Sequence, residues 1–351
     1  MCNLAAINLA NMVTDNGEID YNRLATVVRV GVRMQDNVID STPYFLEANE
    51  KQAKGERRVG LGVMGLADML IKMKVGYGTP EGNEVVDDVF RAISLEAYGA
   101  SIDLAQEKGS FPFLDETEEG RLKFTQTGYM SRMPEELRED ILAVGIRNSH
   151  LLTVAPTGST GTMIGVSTGL EPHYSFKYFR SGRLGKFIEV NAAIVSETLG
   201  DDFEGELPDY FVSSMDLTPE QHVDAQTTIQ RHVDSSLSKT VNAPKGYSVE
   251  QVQSVYERLY NGGAKGGTVY VDGSRDAQVL SLTNDDAAPE EKTEKRDVYV
   301  SNTIPPLEDT SAGDMGTEVG DTCPVCRIGT VEEIAGCNTC TNCSAQLRCG
   351  L

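Results

Sequence analysis

HLLTVAPTGSTGTMIG, from His150 to Gly165, is an apolar run that ends at Pro156 and passes directly into a turn of small and hydroxylated residues. A short buried strand feeding a glycine-rich turn is the recurring joint of α/β domains. Within the turn, Thr157, Gly158, Ser159, Thr160, Gly161 and Thr162 offer unhindered backbone N–H groups with hydroxyls beside them. With Pro156 they form a candidate anion site, and phosphate fits that chemistry. The segment has no GK[ST] ending, so it is not a Walker loop and lacks the lysine that reaches a β- or γ-phosphate. A plain Gly/Ser/Thr turn is the competing reading of the same residues.

Outward from this stretch lie further short apolar or β-branched runs, at residues 3–9, 59–63, 238–241 and 268–271, in addition to 151–154. Helix signals separate them. Thr79-Pro80 opens a helix on which Val86, Phe90, Ile93, Ala97, Ala100 and Leu104 recur at helical spacing until Gly109 closes it. Thr218 with Gln221, and Ser248 with Gln251, have the spacing of capping boxes. The second box leads into Val252, Val255 and Leu259, and Leu24, Val28, Gly31 and Met34 give a shorter stripe near the start. Helices alternating with such runs predict an α/β domain with a largely parallel sheet. Gly60-Leu61-Gly62-Val63-Met64-Gly65 matches GxGxxG, but Arg57-Arg58-Val59 gives it little strand, and GYGTPEG stands where a second βαβ strand should end. These glycines are expected to permit close packing instead of dinucleotide binding.

A chain of 351 residues with 40% hydrophobic content supports one large α/β domain plus a small module. The formal charge of −22 is spread along the chain, which argues against nucleic acid as a partner and suits a surface kept soluble by carboxylates, as in a high-salt cytoplasm. The start MCNLAAINLANMV has no basic n-region or continuous apolar run, and no later segment reaches the roughly 18 apolar residues of a spanning helix. The expectation is a cytoplasmic protein without a membrane partner. After Leu282 the composition turns polar, acidic and rich in Pro and Gly, which divides the chain into a domain over 1–282, a flexible linker over 283–321 and a tail over 322–351.

All seven cysteines sit at the two ends. Cys2 opens the first apolar run, where a lone cysteine is most often a small core residue. The others follow the pattern C-x2-C-x10-C-x2-C-x2-C-x5-C, and two Cys-x-x-Cys knuckles separated by a hairpin-length segment predict a tetrahedral thiolate site for Zn2+. One assignment makes Cys323, Cys326, Cys337 and Cys340 the ligands and leaves Cys343 and Cys349 for a reversible disulfide. The other takes Cys340 and Cys343 as the second knuckle and releases Cys337 and Cys349.

Seven motifs in order carry a family resemblance: CNLAAINLA, DNVID (Asp36 to Asp40), RRVGLGVMGLAD (Arg57 to Asp68), APTGSTGTMIG, STGLEPHYSFKYFR (Ser167 to Arg180), VDSSLSKTVNAP (Val233 to Pro244) and KGGTVYVDGSRDAQVL (Lys265 to Leu280). Together they resemble the catalytic subunit of ribonucleotide reductase, and most closely its adenosylcobalamin-dependent class II branch. The resemblance implies the second half of a ten-stranded α/β barrel, with a zinc-ribbon-like cysteine module at the C-terminus. It implies that Cys2 is one thiol of the redox pair that reduces the ribose, that Pro156 to Thr162 bind the substrate phosphates, and that the tail reloads the active-site pair. The family's last cysteine pair is usually Cys-x4-Cys, whereas Cys343 and Cys349 have five residues between them.

The family's Asn-x-Cys-x-Glu radical motif, the partner of Cys2 and the effector region lie upstream of CNL and are absent here. An N-terminal reductase portion is therefore an implied partner, the chain being one product of a split gene, a segment following an intein, or the reading of a gene whose boundaries are drawn too short. Class I subunits carry a Tyr-Tyr pair where this chain has Thr268-Val269-Tyr270-Val271-Asp272; the single tyrosine breaks that relay and implies adenosylcobalamin as cofactor. The implied substrate is a ribonucleoside di- or triphosphate, and the implied reductant a thioredoxin-like protein or another dithiol. The rival from another class is a non-catalytic nucleotide- or phosphate-binding protein whose zinc ribbon contacts a partner.

Overall fold

Five short segments run side by side in parallel, in the order in which they occur in the chain. The computed structural model describes residues 3–182, 185–201, 203–274, 280–281, 316–324, 328–334, 337–342 and 346–349, and the chain divides into two compact units, residues 1–290 and 291–351. The strands of the first unit are β1 (Leu4–Asn8), β2 (Gly60–Met64), β3 (Lys177–Gly182), β4 (Gly185–Asn191), β5 (Thr240–Ala243), β6 (Thr268–Val271) and β7 (Leu280–Ser281). Its α-helices are α1 (Tyr21–Ser41), α2 (Glu47–Glu56), α3 (Leu66–Lys72), α4 (Pro80–Lys108), α5 (Glu118–Gln126), α6 (Glu135–Val144), α7 (Gly158–Ile164), α8 (Ala193–Leu199), α9 (Pro219–Gln230) and α10 (Val249–Asn261).

β1 pairs in parallel with β2, from Leu4 opposite Gly60 to Asn8 opposite Met64. On the other edge of β2, Leu61 bridges Leu152 in parallel, its N–H donating to Leu151 O at 2.8 Å. Residues 151–154 then run beside 235–238, where Val154 bridges Leu237 and Ser238 N–H donates to Val154 O at 2.9 Å. The chain continues from there into β5, which pairs in parallel with β6. These segments fall on the runs at 3–9, 59–63, 151–154, 238–241 and 268–271. Parallel neighbours require long crossovers, and the helices supply them. β3, β4 and β7 form a separate antiparallel sheet. Among the described residues the strands do not close into a barrel.

Caps and stripes set the helices where the sequence places them. Thr79 accepts Gly82 N–H through its hydroxyl at 3.0 Å, and Gly109 closes α4 with φ +82. The six apolar positions from Val86 to Leu104 are all buried. Both capping boxes, Thr218 with Gln221 and Ser248 with Gln251, are complete. In α1, however, Met34 is exposed and the inner face continues through Val32, Gln35, Asp36 and Ile39. Two of those side chains are polar, so hydrophobic periodicity alone misplaces the stripe.

Gln35 Nε2 donates to Asn3 O at 2.9 Å, and Asp36 tolerates burial because its carboxylate is fully paired. Asp36 has no exposed surface. Its Oδ1 accepts from Arg57 Nε at 2.8 Å and Asn148 Nδ2 at 3.2 Å, and its Oδ2 from Arg147 Nε at 3.3 Å and Lys108 Nζ at 3.5 Å. Arg57 also binds both oxygens of Asp40. This cluster ties α1 to the entry of β2, the end of α4 and the approach to residues 151–154.

The GxGxxG glycines belong to the sheet. All of β2 is buried. A Cβ on Gly62 would run into the Thr153 carbonyl, and one on Gly60 would fall 2.6 Å from Thr153 Cγ2. Close strand approach, as expected, explains them; Gly65, at φ +73, turns β2 into α3.

In the second unit, β8 (Val331–Ile334), β9 (Cys337–Cys340) and β10 (Gln346–Cys349) form an antiparallel sheet in the order β10-β9-β8. The preceding turn is fastened by Gly320 N–H to Val331 O at 2.9 Å and Cys323 N–H to Gly329 O at 2.8 Å. Among the described residues no helix is long and apolar enough to cross a membrane.

Candidate functional site

The turn from Pro156 to Thr162 follows the C-terminal end of segment 151–154, at the middle of the parallel array. Ligands of open α/β sheets gather outside the carboxyl ends of the strands. Pro156, Gly158, Ser159, Thr160 and Thr162 are exposed, Thr157 is half-buried and Gly161 is buried. Thr157 takes the left-handed conformation, φ 48 and ψ 27, immediately before α7. Its carbonyl accepts Gly161 N–H at 2.7 Å and its hydroxyl oxygen accepts Gly169 N–H at 2.8 Å. The first N–H groups of a helix have no partner within it, so those at the start of α7 lie on the exposed side of the turn. A Cβ on Gly158 would meet nothing within 4 Å, whereas one on Gly161 would press on Thr168 at 3.0 Å. The mouth of the turn is open and its back is packed.

Behind the turn, residues 167–173 are held by two buried polar clusters. Asp68 Oδ2 accepts Ser167 N–H at 2.7 Å, the Ser167 hydroxyl accepts Ala67 N–H at 3.1 Å, and His173 Nε2 lies 3.2 Å from Asp68 Oδ1. Burial opposes the charged form of Asp68, but His173 and Ser167 outweigh it and hold the carboxyl below its ordinary value. In the second cluster Lys239 Nζ lies 2.8 Å from Glu171 Oε2 and 2.9 Å from His222 Nδ1. Burial lowers the Lys239 ammonium, with Glu171 acting against that shift. Burial, then the Lys239 charge, pushes His222 down to about 3.

Residues 1–270 match the family described as "Ribonucleotide reductase, barrel domain". The chain belongs to the ribonucleotide reductase family. It is 32% identical over 303 residues to the vitamin B12-dependent ribonucleoside-diphosphate reductase of Mycobacterium tuberculosis (strain CDC 1551 / Oshkosh), covering 80% of this chain and 40% of that protein. It is 33% identical over 313 residues to the protein of that name from Thermoplasma acidophilum, covering 83% and 38%. To the ribonucleoside-diphosphate reductase subunit alpha of Helicobacter pylori (strain 26695) it is 31% identical over 255 residues, covering 69% and 30%. The chain thus spans about two fifths of the length of the vitamin B12-dependent relatives it matches.

Of the expected site residues, Pro156 to Thr162 come together in one turn. Cys2, Cys326 and Cys343 lie outside the described residues. Cys323 and Cys340 are buried in the second unit, where Cys340 Sγ accepts Asn342 N–H at 3.3 Å. Cys337 and Cys349 are opposite each other in the β9–β10 register. Among the described residues no group of three or more His, Cys, Asp or Glu side chains is arranged to hold a metal ion.

The buttress residues Asp68, Glu171, His173, His222 and Lys239 were not singled out by sequence reasoning. The available signal was a lysine between Ser238 and Thr240, in a run bound for the sheet interior, and a carboxylate two residues after the small-residue stretch 167–169. His222 provides a pH test. Its folded value lies below its ordinary one of about 6.5, so below that pH the unfolded chain binds a proton that the folded chain refuses, and stability falls as pH falls toward 3. At pH 5 the cost is about 2 kcal/mol relative to pH 7. Urea unfolding at both pH values is expected to show a loss smaller by that amount in His222→Gln.

Proposed function

We propose that this chain is the C-terminal portion of a class II ribonucleotide reductase, contributing the second five-stranded half of a ten-stranded barrel and acting with an N-terminal portion that carries the radical cysteine. The observation that carries the reading is the open turn at residues 156–162, set at the carboxyl end of the central parallel segment. The names of the relatives favour a ribonucleoside diphosphate as substrate and cobalamin as cofactor. The overall change is the replacement of the ribose 2′ hydroxyl by hydrogen, with release of water, as two thiols are oxidised to a disulfide.

In this scheme the backbone N–H groups of Gly158, Ser159 and Thr160 and the hydroxyls of Ser159 and Thr160 bind the diphosphate, while Pro156, Thr157, Gly161 and Thr162 shape the turn, the Gly161 N–H donating to Thr157 O and the Thr162 hydroxyl to Gly158 O. Fixing the phosphates converts the encounter of ribose and thiols into a step between positioned groups. Cys2 is one thiol of the pair that yields the two electrons and closes as a disulfide. Cys343 and Cys349 then reopen that disulfide by exchange and are themselves reduced by a thioredoxin-like protein or another dithiol. Adenosylcobalamin, when bound, supplies the radical that starts the cycle; no residue of this chain is assigned to it. Zn2+ is assigned to Cys323, Cys326, Cys337 and Cys340. The burial of Cys323 and Cys340, and the N–H bond to Cys340 Sγ, suit thiolates at a knuckle.

Gly158→Asp tests the site directly, because the side chain meets open space and places a carboxylate where the phosphates are to lie. In the assembled reductase it is expected to lower kcat/KM for a ribonucleoside diphosphate by about a hundredfold, in line with like-charge repulsion in a partly desolvated site. Unchanged kcat/KM would remove the turn from the mechanism.

A further inference from the structure

Lys239 is fully buried, and its ammonium meets three acceptors: Glu171 Oε2 at 2.8 Å, His222 Nδ1 at 2.9 Å and the Thr240 carbonyl. An ammonium has three hydrogens and no lone pair, so this arrangement saturates it and makes His222 Nδ1 an acceptor. The network thereby assigns the His222 proton to Nε2, which donates to Ser214 O at 3.1 Å. Ser214 N–H in turn donates to His173 O at 2.8 Å. The second oxygen of Glu171 accepts Thr240 N–H at 2.6 Å.

From Glu171 the connection reaches the phosphate turn within three residues. Leu170 O accepts the Tyr77 hydroxyl at 2.6 Å, Gly169 N–H donates to Thr157 Oγ1 at 2.8 Å, and Thr168 packs on Gly161. Thr157 is the residue that needs support. A β-branched side chain at φ 48 is strained and persists only where its surroundings fix it. Stability alone does not call for a buried ion pair, since an apolar pair of equal volume is often as stable.

We propose that Lys239 is a positioning residue for substrate binding: through Glu171 its ammonium anchors residues 168–171, which hold Thr157 in the left-handed conformation that presents the N–H groups of the turn. The inference rests on the phosphate-site reading given above. A purely structural ion pair would alter stability and leave anion affinity tied to it.

The test uses the full chain, with inorganic pyrophosphate titrated calorimetrically, amide hydrogen exchange at Gly169 and thermal melting. Lys239→Met strands the Glu171 carboxylate, and the double variant Lys239→Met with Glu171→Gln removes that charge. The double variant is expected to recover most of the melting temperature while affinity stays at least fivefold below the original chain and Gly169 exchanges at least tenfold faster. Affinity that recovers in step with the melting temperature overturns the proposal. Glu171→Gln alone keeps the ammonium and its other acceptors, and serves if the lysine variants do not fold; it is expected to weaken pyrophosphate binding by about threefold or more, and unchanged affinity overturns the proposal. Gly158→Asp separates the two levels of the inference. If it binds pyrophosphate as well as the original chain does, or if the original chain does not bind, the phosphate-site reading fails and takes the role of Lys239 with it; if it alone loses binding, only the role of Lys239 fails.

Discussion

Asp36→Ala is expected to destabilise the first unit by about 3–5 kcal/mol, the range found when one partner of a buried charge cluster is removed. Asp36 is fully buried and accepts from Arg57, Arg147, Lys108 and Asn148. Its loss leaves the largely buried guanidinium groups of Arg57 and Arg147 sharing Asp40, whose side chain is 48% exposed and lies 3.9 Å from Arg147 Nη2. The Arg57 and Arg147 side chains are only 4% and 10% exposed, so water cannot replace the lost carboxylate. Asp36→Asn keeps an acceptor but not the charge and should lose less. By contrast, breaking the exposed Asp88–Arg91 pair, 2.7 Å apart, should change stability by about 0.5 kcal/mol or less. Urea unfolding followed by circular dichroism measures all three; an Asp36→Ala chain within 1 kcal/mol of the original, well below the range for such clusters, would contradict the role of the cluster as the tie between α1 and the sheet.

Cys2→Ser is expected to abolish multiple turnover in the assembled reductase, by about a thousandfold or more, as for residues that act as one unit with their partners. The reaction consumes two electrons per ribose, and the scheme draws them from a pair of thiols that closes as a disulfide. A serine hydroxyl cannot close that bond, and exchange with an external dithiol has nothing to reopen. Because the turn at 156–162 is untouched, substrate affinity should remain within about twofold. Cys349→Ser should behave differently: turnover driven by a protein reductant falls, while a small dithiol that enters the site directly sustains it. Product formation with each reductant, together with substrate affinity, distinguishes the roles. A Cys2→Ser reductase turning over within about tenfold of the original would remove Cys2 from the redox pair.

Much of the first unit was legible because its signals are local. The runs at 3–9, 59–63, 151–154, 238–241 and 268–271 became the parallel array, and Thr79, Thr218 and Ser248 cap the helices their spacing marks. The candidate turn was legible for the same reason, since a small-residue stretch after an apolar run is a contiguous pattern. Its support was not. Glu171, His222 and Lys239 meet through contacts that cross 68 and 17 residues of sequence, and neither charge nor periodicity at one position announces a partner at that distance. The face of α1 was misread for a related reason: Gln35 and Asp36 occupy inner positions, made tolerable by partners such as Arg57, Arg147 and the backbone of Asn3. The antiparallel sheet of β3, β4 and β7 joins residues 177–191 to 280–281, and no short-range signal in KYFR or QVLS records that pairing.

The central proposal is that this chain works as one part of a ribonucleotide reductase, together with an N-terminal portion. The most direct measurement is deoxyribonucleotide formation from a ribonucleoside diphosphate with adenosylcobalamin and a dithiol, by the chain alone, by an N-terminal reductase portion alone, and by the two together. The account predicts product only from the combination, with one disulfide formed per deoxyribonucleotide. Turnover by the chain alone, or none from a combination shown to assemble and to bind cobalamin, would contradict it.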